Sequence, residues 1–240
     1  LAVSVAAIWH DVECGAYAAD LPLWEQLAER VEGPVLELGC GTGRVALHLA
    51  RRGHTVYALD HDPELLATLE ERAAGLPLET VCADAREPQL PGEIGLALAP
   101  THLLQLLPES EDRVACLRQV ADRLRPGGLL AASILEEMPE PDGSPPPLPD
   151  VREVEGWVYS SLATEVSIGP GELFVRRLRQ VVSPDGELSE EGNEIRIATF
   201  PAAQLEAEAA EAGLEPVARH EIGPTDTHVG SVVVVLGREA

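Results

Sequence analysis

Lysine is missing from this chain: all 17 basic residues are arginine, set against 41 acidic ones, for a formal net charge of −24. A surface so short of positive charge has little to offer a partner covered in phosphates, so neither a nucleic acid nor an anionic membrane is expected. The absence of lysine carries no mechanism by itself. Aromatic residues make up only 3%, which leaves aliphatic packing to build the core and no platform for stacking bases. Cys14, Cys40, Cys82 and Cys116 show no C-x-x-C pair and no metal-ligand spacing, so neither a disulfide framework nor a metal site is expected. Reduced thiols of this kind fit a cytoplasmic location. No apolar run reaches the ~18 residues of a membrane span. The first residues lack the basic start of a secretory signal.

What is present is ample core material, 45% hydrophobic residues over 240 positions, enough for one large domain with an insert. The first half alternates strand and helix patterns, the mark of βαβ units on a parallel sheet. Val35-Leu36-Glu37-Leu38 reads as a buried strand ending in a glycine turn, followed by a helix carrying Val45, Ala46, Leu49 and Ala50 on one face. Thr55 to Leu59 reads as a second strand running into Asp60-His61-Asp62-Pro63, where Asp62 suits a helix cap. Strands are expected from Leu78 to Ala83 and from Ile94 to Ala99. A helix opening near Ser110 is expected to stop at Pro126-Gly127-Gly128, before a strand from Leu129 to Ile134.

The pattern then changes. Pro139 to Asp150 is rich in proline and unsuited to a regular element. Val151 to Thr199 reads as antiparallel strands joined by Gly-Pro-Gly and Pro-Asp-Gly turns. One more helix from Pro201 to Gly213 and two strands, near 216–222 and 231–236, close the chain. A lead-in helix carries Trp24, Leu27, Ala28 and Val31. The weakly periodic residues before it read either as a flap over the site or as a frayed end. The domain plan is therefore a single domain over 1–240: an N-terminal flap and lead-in helix over 1–30, a core of 31–138 and 200–240, and an antiparallel β insert over 139–199 placed to cap a substrate.

Glu37-Leu38-Gly39-Cys40-Gly41-Thr42-Gly43 lies between a strand and a helix start. Glycines there let the backbone turn tightly and approach a ligand. Asp60 ends the next strand, where a carboxylate can accept both ribose hydroxyls of an adenosyl group. A nicotinamide fingerprint needs a third glycine where this chain has Arg44. Asp84, at the tip of the third strand, can accept from an adenine amino group. With Glu37, these carboxylates suit a cofactor bearing an ammonium and a sulfonium, and would repel a diphosphate.

Val35 to Gly43 resembles motif I of the class I S-adenosylmethionine-dependent methyltransferases. Asp60 resembles the ribose-binding acid of motif II, Asp84-Ala85 the adenine-binding motif III, and Leu124-Arg125-Pro126-Gly127-Gly128 the family's turn before the fifth strand. The resemblance implies an α/β Rossmann-like fold of seven strands, the last antiparallel, with helices on both faces. It implies S-adenosylmethionine as cofactor, held by Glu37, Gly39, Cys40, Gly41, Gly43, Asp60, His61, Asp84, Ala85 and Pro100. By analogy with related enzymes, Tyr17 is a candidate to cover the methionine end. The position after the fourth strand reads Ala99-Pro100-Thr101-His102 and departs from the motif of nucleic-acid base methylation, which points to a small-molecule acceptor.

In an open α/β sheet the ligand sits beyond the carboxyl ends of the strands. Pro100 to His102, Gln105, Glu136, Glu137 and Thr225 to His228 are therefore expected near the substrate. Methyl transfer is an in-line displacement that depends mostly on positioning and water exclusion. If the acceptor must lose a proton, His102 and His228 are the catalytic candidates, since imidazole titrates near neutral pH. Two alternatives remain: a nicotinamide-dependent oxidoreductase, and a cofactor-binding protein without turnover. The exposed edges of the insert leave a homodimer open.

Overall fold

Two helices, α1 (Val5–Cys14) and α2 (Leu21–Glu29), lead into the first strand of the chain, β1 (Val35–Leu38), all four of whose residues are buried. A parallel strand covered on both faces has no need to alternate polar and apolar residues, which is why Val35-Leu36-Glu37-Leu38 reads as a continuous run. The computed structural model describes residues 4–88, 90, 92–136, 138, 148–225 and 228–238. Glu137, the 139–147 part of the proline-rich stretch, Asp226 and Thr227 lie outside the described residues.

The chain continues through α3 (Arg44–Ala50), β2 (Val56–Asp60), α4 (Pro63–Arg72), β3 (Leu78–Cys82) and β4 (Ile94–Ala99). Asp62 caps α4 as its sequence suggests, accepting the Glu64 N–H at 2.8 Å. A short 3₁₀ turn (Leu103–Leu106) then leads to α5 (Ser110–Ala121) and β5 (Leu124–Ile134). The helix ends earlier than expected, and Leu124 to Gly128 belong to the strand. The reason is tertiary. The backbone of Arg238 pairs with this stretch, its N–H donating to the Gly128 carbonyl at 3.0 Å and its own carbonyl accepting from Gly127 at 3.2 Å.

The insert follows as β6 (Asp150–Val154), β7 (Trp157–Gly169), β8 (Glu172–Val182) and β9 (Leu188–Ala198), paired in that order as an antiparallel sheet. The last elements are α6 (Ala202–Glu211), β10 (Glu215–Ile222) and β11 (Ser231–Gly237). The main sheet has the order β10-β11-β5-β4-β1-β2-β3. β1 pairs in parallel with β2 and β4, whereas β11 runs antiparallel to both β5 and β10. This is the α/β architecture expected from the sequence, with its last strand reversed.

Helices cover both faces. Leu117, Val120, Leu205 and Ala209 of α5 and α6 join the core cluster on one side, and Trp24, Leu49 and Leu69 of α2, α3 and α4 the other. Val5–Cys14 form a helix, not a frayed end. Ile8, Trp9 and Val12 of α1 pack against Tyr159 of the insert, while Ala7 and Asp11 are also buried. A helix covered on two sides lacks the single apolar stripe by which a surface helix is recognised.

Candidate functional site

The carboxyl ends of β1, β2 and β4 lie side by side, in the register Glu37↔Ala58 and Glu37↔Leu98. Because β11 is reversed, its start comes to the same edge, with Val232 opposite Ile134 at the end of β5. That topology gathers the glycine turn, Asp60, Asp84, Thr101-His102 and the segment around His228 at one rim of the sheet.

Gly39 and Gly41 both have positive φ, 64° and 54°. A Cβ on Gly39 would lie 2.5 Å from Leu103, and one on Gly41 would lie 2.1 Å from the His10 ring. Only glycine satisfies both demands. Asp60 holds the turn, accepting the Gly41 N–H at 2.8 Å and the Asp62 N–H at 3.0 Å. A carboxylate has about four acceptor positions, so capacity for two hydroxyls remains. Glu37 is 3% exposed and its Oε2 has no hydrogen-bond partner. Burial pushes its carboxyl up to about 8, against the pull of Arg44.

Asp84 is exposed at the tip of β3, where Arg86 clamps it with contacts of 2.6 and 2.9 Å and holds its carboxyl down at about 2. His61 is also exposed, its ring 3.3 Å from Asp60. Cys40 differs from the rest of the turn: its side chain is buried in the core with Trp24 and Leu66, so only its backbone faces the rim.

Above the turn lies α1. His10 bonds Thr42 at 3.1 Å and contacts Gly41, and burial lowers its basicity. Asp11 accepts from Thr42 at 2.6 Å and pairs with Arg72 of α4 at 2.5 Å and Arg152 of β6 at 2.8 Å. Glu13 accepts from Arg179 and from Ser161 of the insert, at 2.8 and 2.7 Å. Arg44 ties the lead-in segment down, donating two bonds to Asp20 at 2.5 and 2.7 Å and one each to the Tyr17 carbonyl and Thr101.

Between the rim and the insert is a cavity of about 260 Å³. The core contributes Thr101, His102, Ser133 and Ser231, and the insert contributes Val166, Leu173, Val175 and Ile197. Thr101 and His102 are consecutive non-glycine residues with positive φ, 52° and 62°, a backbone strain that concentrates at functional sites. His102 lines the cavity, its Nδ1 is buried without a hydrogen-bond partner, and burial pushes the ring down to about 4. Tyr17 stacks on His228, ring centroids 4.4 Å apart, and burial lowers the His228 ring as well. Burial thus makes both rings less basic than the bare residue type suggests, His102 the more so. A wider cleft of about 1020 Å³ shares Leu135, Met138 and Ser231 with this cavity and gives it a route to solvent.

Residues 35–128 match the family model described as a methyltransferase domain. Over that stretch the chain is similar to methyltransferase domains. It is 32% identical over 111 residues to the cypemycin N-terminal methyltransferase of a Streptomyces species, a match covering 46% of this chain and 45% of that protein. The chain thus spans less than half the length of that curated relative. Solved structures agree along nearly the whole fold. A sugar N-methyltransferase from Streptoalloteichus sp ATCC 53650 superposes with a TM-score of 0.76 at 18% identity, covering 100% of this chain and 95% of that one. An amino pentose methyltransferase from Micromonospora echinaspora, with S-adenosylmethionine bound, superposes with 0.71 at 20%, covering 99% and 98%.

The rim fits a cationic adenosyl cofactor on its own chemistry. Glu37 offers a buried, unpartnered carboxyl oxygen, and Asp60 keeps acceptor capacity beside a turn that only glycine can form. Arg44, the cation next to the turn, is spent on Asp20 and does not present itself to a phosphate. Gln105, expected near the substrate, is wholly buried and structural. Its amide bonds Leu135 through both N–H and carbonyl and also reaches the Ala198 carbonyl at 2.6 Å. Glu136 is likewise spent, accepting the Ala202 N–H at the start of α6. Sequence reasoning missed the roles of His10, Asp11, Glu13 and Arg44. For Arg44 there was a signal, since a charge following a buried turn must find a partner.

Proposed function

We propose that this protein is an S-adenosylmethionine-dependent methyltransferase that transfers the methyl group to nitrogen of a small molecule. The observation that carries the reading is the rim itself: a glycine turn braced by Asp60, an orphaned Glu37 carboxyl beneath it, and a cavity alongside. When bound, the cofactor supplies an electrophilic methyl. A neutral amine would take that methyl with its lone pair, and the proton released from the resulting ammonium would go to water. In this reading Glu37 would receive the ammonium, Asp60 the ribose and Asp84 the adenine edge, while His10 and the rest of α1 would exclude water from above. Nearby positions on the rim, among them Tyr17, Gly39, Gly43, His61, Ala85, Pro100 and the Cys40 backbone, complete the shell.

Nitrogen is favoured over oxygen by the low basicity of His102. His102, pushed down to about 4, lies far below a phenol at ~10, so taking a proton from an oxygen acceptor would run steeply uphill. A neutral amine needs no base before it attacks. The relatives named above support the same choice, since one is described as an N-terminal and another as a sugar N-methyltransferase. In this reading His102 and His228 orient the acceptor by hydrogen bonds. Arg44 in place of the third glycine, with the carboxylate-lined rim, speaks against a nicotinamide.

Calorimetry with S-adenosylhomocysteine tests the proposal. The wild type is expected to bind it, and Asp60→Ala to bind more weakly by ~2 kcal/mol or more, through lost charge-assisted hydrogen bonds. Binding of a reduced nicotinamide dinucleotide in its place would overturn the reading.

A further inference from the structure

The acceptor cavity has a polarity and a size that narrow what it can take. Its far wall is one face of the insert sheet. Val166 stands opposite Val175, and Val175 opposite Ile195, while Leu173 stands opposite Ile197. Side chains alternate along a strand, so these residues share a face. The intervening Phe174, Arg176 and Arg196 share the other, where both guanidinium groups stack on the Phe174 ring, 5.5 and 4.8 Å from its centroid. The sheet is therefore amphipathic, with its apolar side turned to the methyltransferase rim. Val166 remains 48% exposed and Ile168 63%. An apolar patch left open beside a polar rim marks a binding surface.

The charges at the cavity are already matched within the chain. Asp150 pairs with Arg177 at 2.5 Å, and Glu13 with Arg179 at 2.8 Å. Arg177 is held further by Ser161 at 2.7 Å. A charged acceptor would have to break one of these pairs or lose its hydration without compensation. At the rim end, Tyr17, His228 and His102 meet the cavity, and the His102 Nδ1 is buried without a partner. That end offers ring nitrogens for hydrogen bonds, and among the described residues the carboxylates lining the cavity, Glu13 and Asp150, are already paired with arginine. The volume, about 260 Å³, falls just below the range of sites for drug-sized ligands and suits one fused ring system.

We propose that the cavity takes a compact, mainly apolar acceptor with a weakly basic, uncharged nitrogen of the aryl or heteroaryl amine type, its ring on Val166, Leu173, Val175 and Ile197 and its nitrogen toward His102. This specificity rests on the N-methyltransferase reading above. Polyhydroxylated amines lose hydration against an aliphatic wall, and strongly basic amines arrive as ammonium ions with no counter-charge.

Two isomers of equal size separate the claims. Tetrahydroquinoline carries a weakly basic aryl nitrogen, and tetrahydroisoquinoline carries a strongly basic one. Glucosamine serves as the hydrophilic comparator. Saturation-transfer NMR on the protein loaded with S-adenosylhomocysteine, and transfer of labelled methyl from S-adenosylmethionine, provide two readouts. Tetrahydroquinoline is expected to bind and accept methyl at least tenfold better than either comparator. Val175→Trp, and the rim variant Val166→Asp, are expected to reduce that binding at least fivefold with S-adenosylhomocysteine affinity within twofold, which also reports a folded core. A preference for glucosamine or the strongly basic isomer overturns the inference, as does failure of all three to bind. No effect of the two variants overturns it as well. Failure of S-adenosylhomocysteine itself to bind is the separate result that removes the methyltransferase reading.

Discussion

Glu37 is the residue whose chemistry is most out of place for its position. A carboxyl in the central strand of a buried sheet, facing Arg44, Asp20 and Asp60 and lacking a partner on Oε2, is held protonated by desolvation, with its carboxyl up at about 8. In the unfolded chain it ionises near ~4.3. Between those two values the folded protein holds a proton that the unfolded chain has released, so stability contributed at low pH is lost as pH rises through the window. Glu37→Gln cannot ionise. Urea unfolding is expected to show the variant gaining ~2 kcal/mol or more on the wild type between about pH 5 and about pH 9. A difference that stays constant with pH would show the carboxyl to be ionised throughout. The same variant is expected to weaken S-adenosylhomocysteine in calorimetry if, as proposed, this carboxyl receives the cofactor's ammonium.

Helix α1 is held by its polar residues as well as by Ile8, Trp9 and Val12. Asp11 joins the glycine turn, α4 and β6, while Glu13 joins β7 and β8. The Asp11 side chain is 6% exposed, so its removal strands Arg72 and the Thr42 hydroxyl beside it. Asp11→Ala is expected to destabilise the protein by ~2–4 kcal/mol in urea unfolding, in the range for breaking a buried ion pair. Arg152→Ala removes a partner that is 44% exposed and is expected to cost less than ~1 kcal/mol. Since His10 rests on Gly41, α1 must move for the cofactor turn to open. Hydrogen exchange in α1 is therefore expected to quicken in Asp11→Ala and to slow when S-adenosylhomocysteine binds. Equal exchange in all three states would mean that the helix stays in place.

At the scale of the whole molecule, the insert and the core meet at Gln105. One buried amide satisfies the backbone of Leu135 at the end of β5 and of Ala198 at the end of β9, fixing the apolar wall against the catalytic rim. Gln105→Ala leaves those buried groups unpaired and is expected to cost ~2–4 kcal/mol. If the junction sets the cavity, KM for the acceptor rises more than the cofactor affinity falls, which kinetics and calorimetry on one preparation resolve. The legible parts of this protein were those with a local cause. The β1 run, the glycine turn, the Asp62 cap and the Gly-Pro-Gly and Pro-Asp-Gly turns follow from steric and hydrogen-bonding demands between neighbours in the chain. So do the alternating strands and helices, and with them the fold class and the cofactor rim. The N-terminal helix, the early stop of α5, the engagement of Arg44, Asp84 and Gln105, and the low basicity of His102 and His228 were not legible. Each depends on which distant segment lies against it, because burial and ion pairing are set by neighbours in space. The sequence by itself determined the sheet and the turn that offers a cofactor its place. Only the tertiary structure decided what covers that place and what shape of acceptor fits beside it.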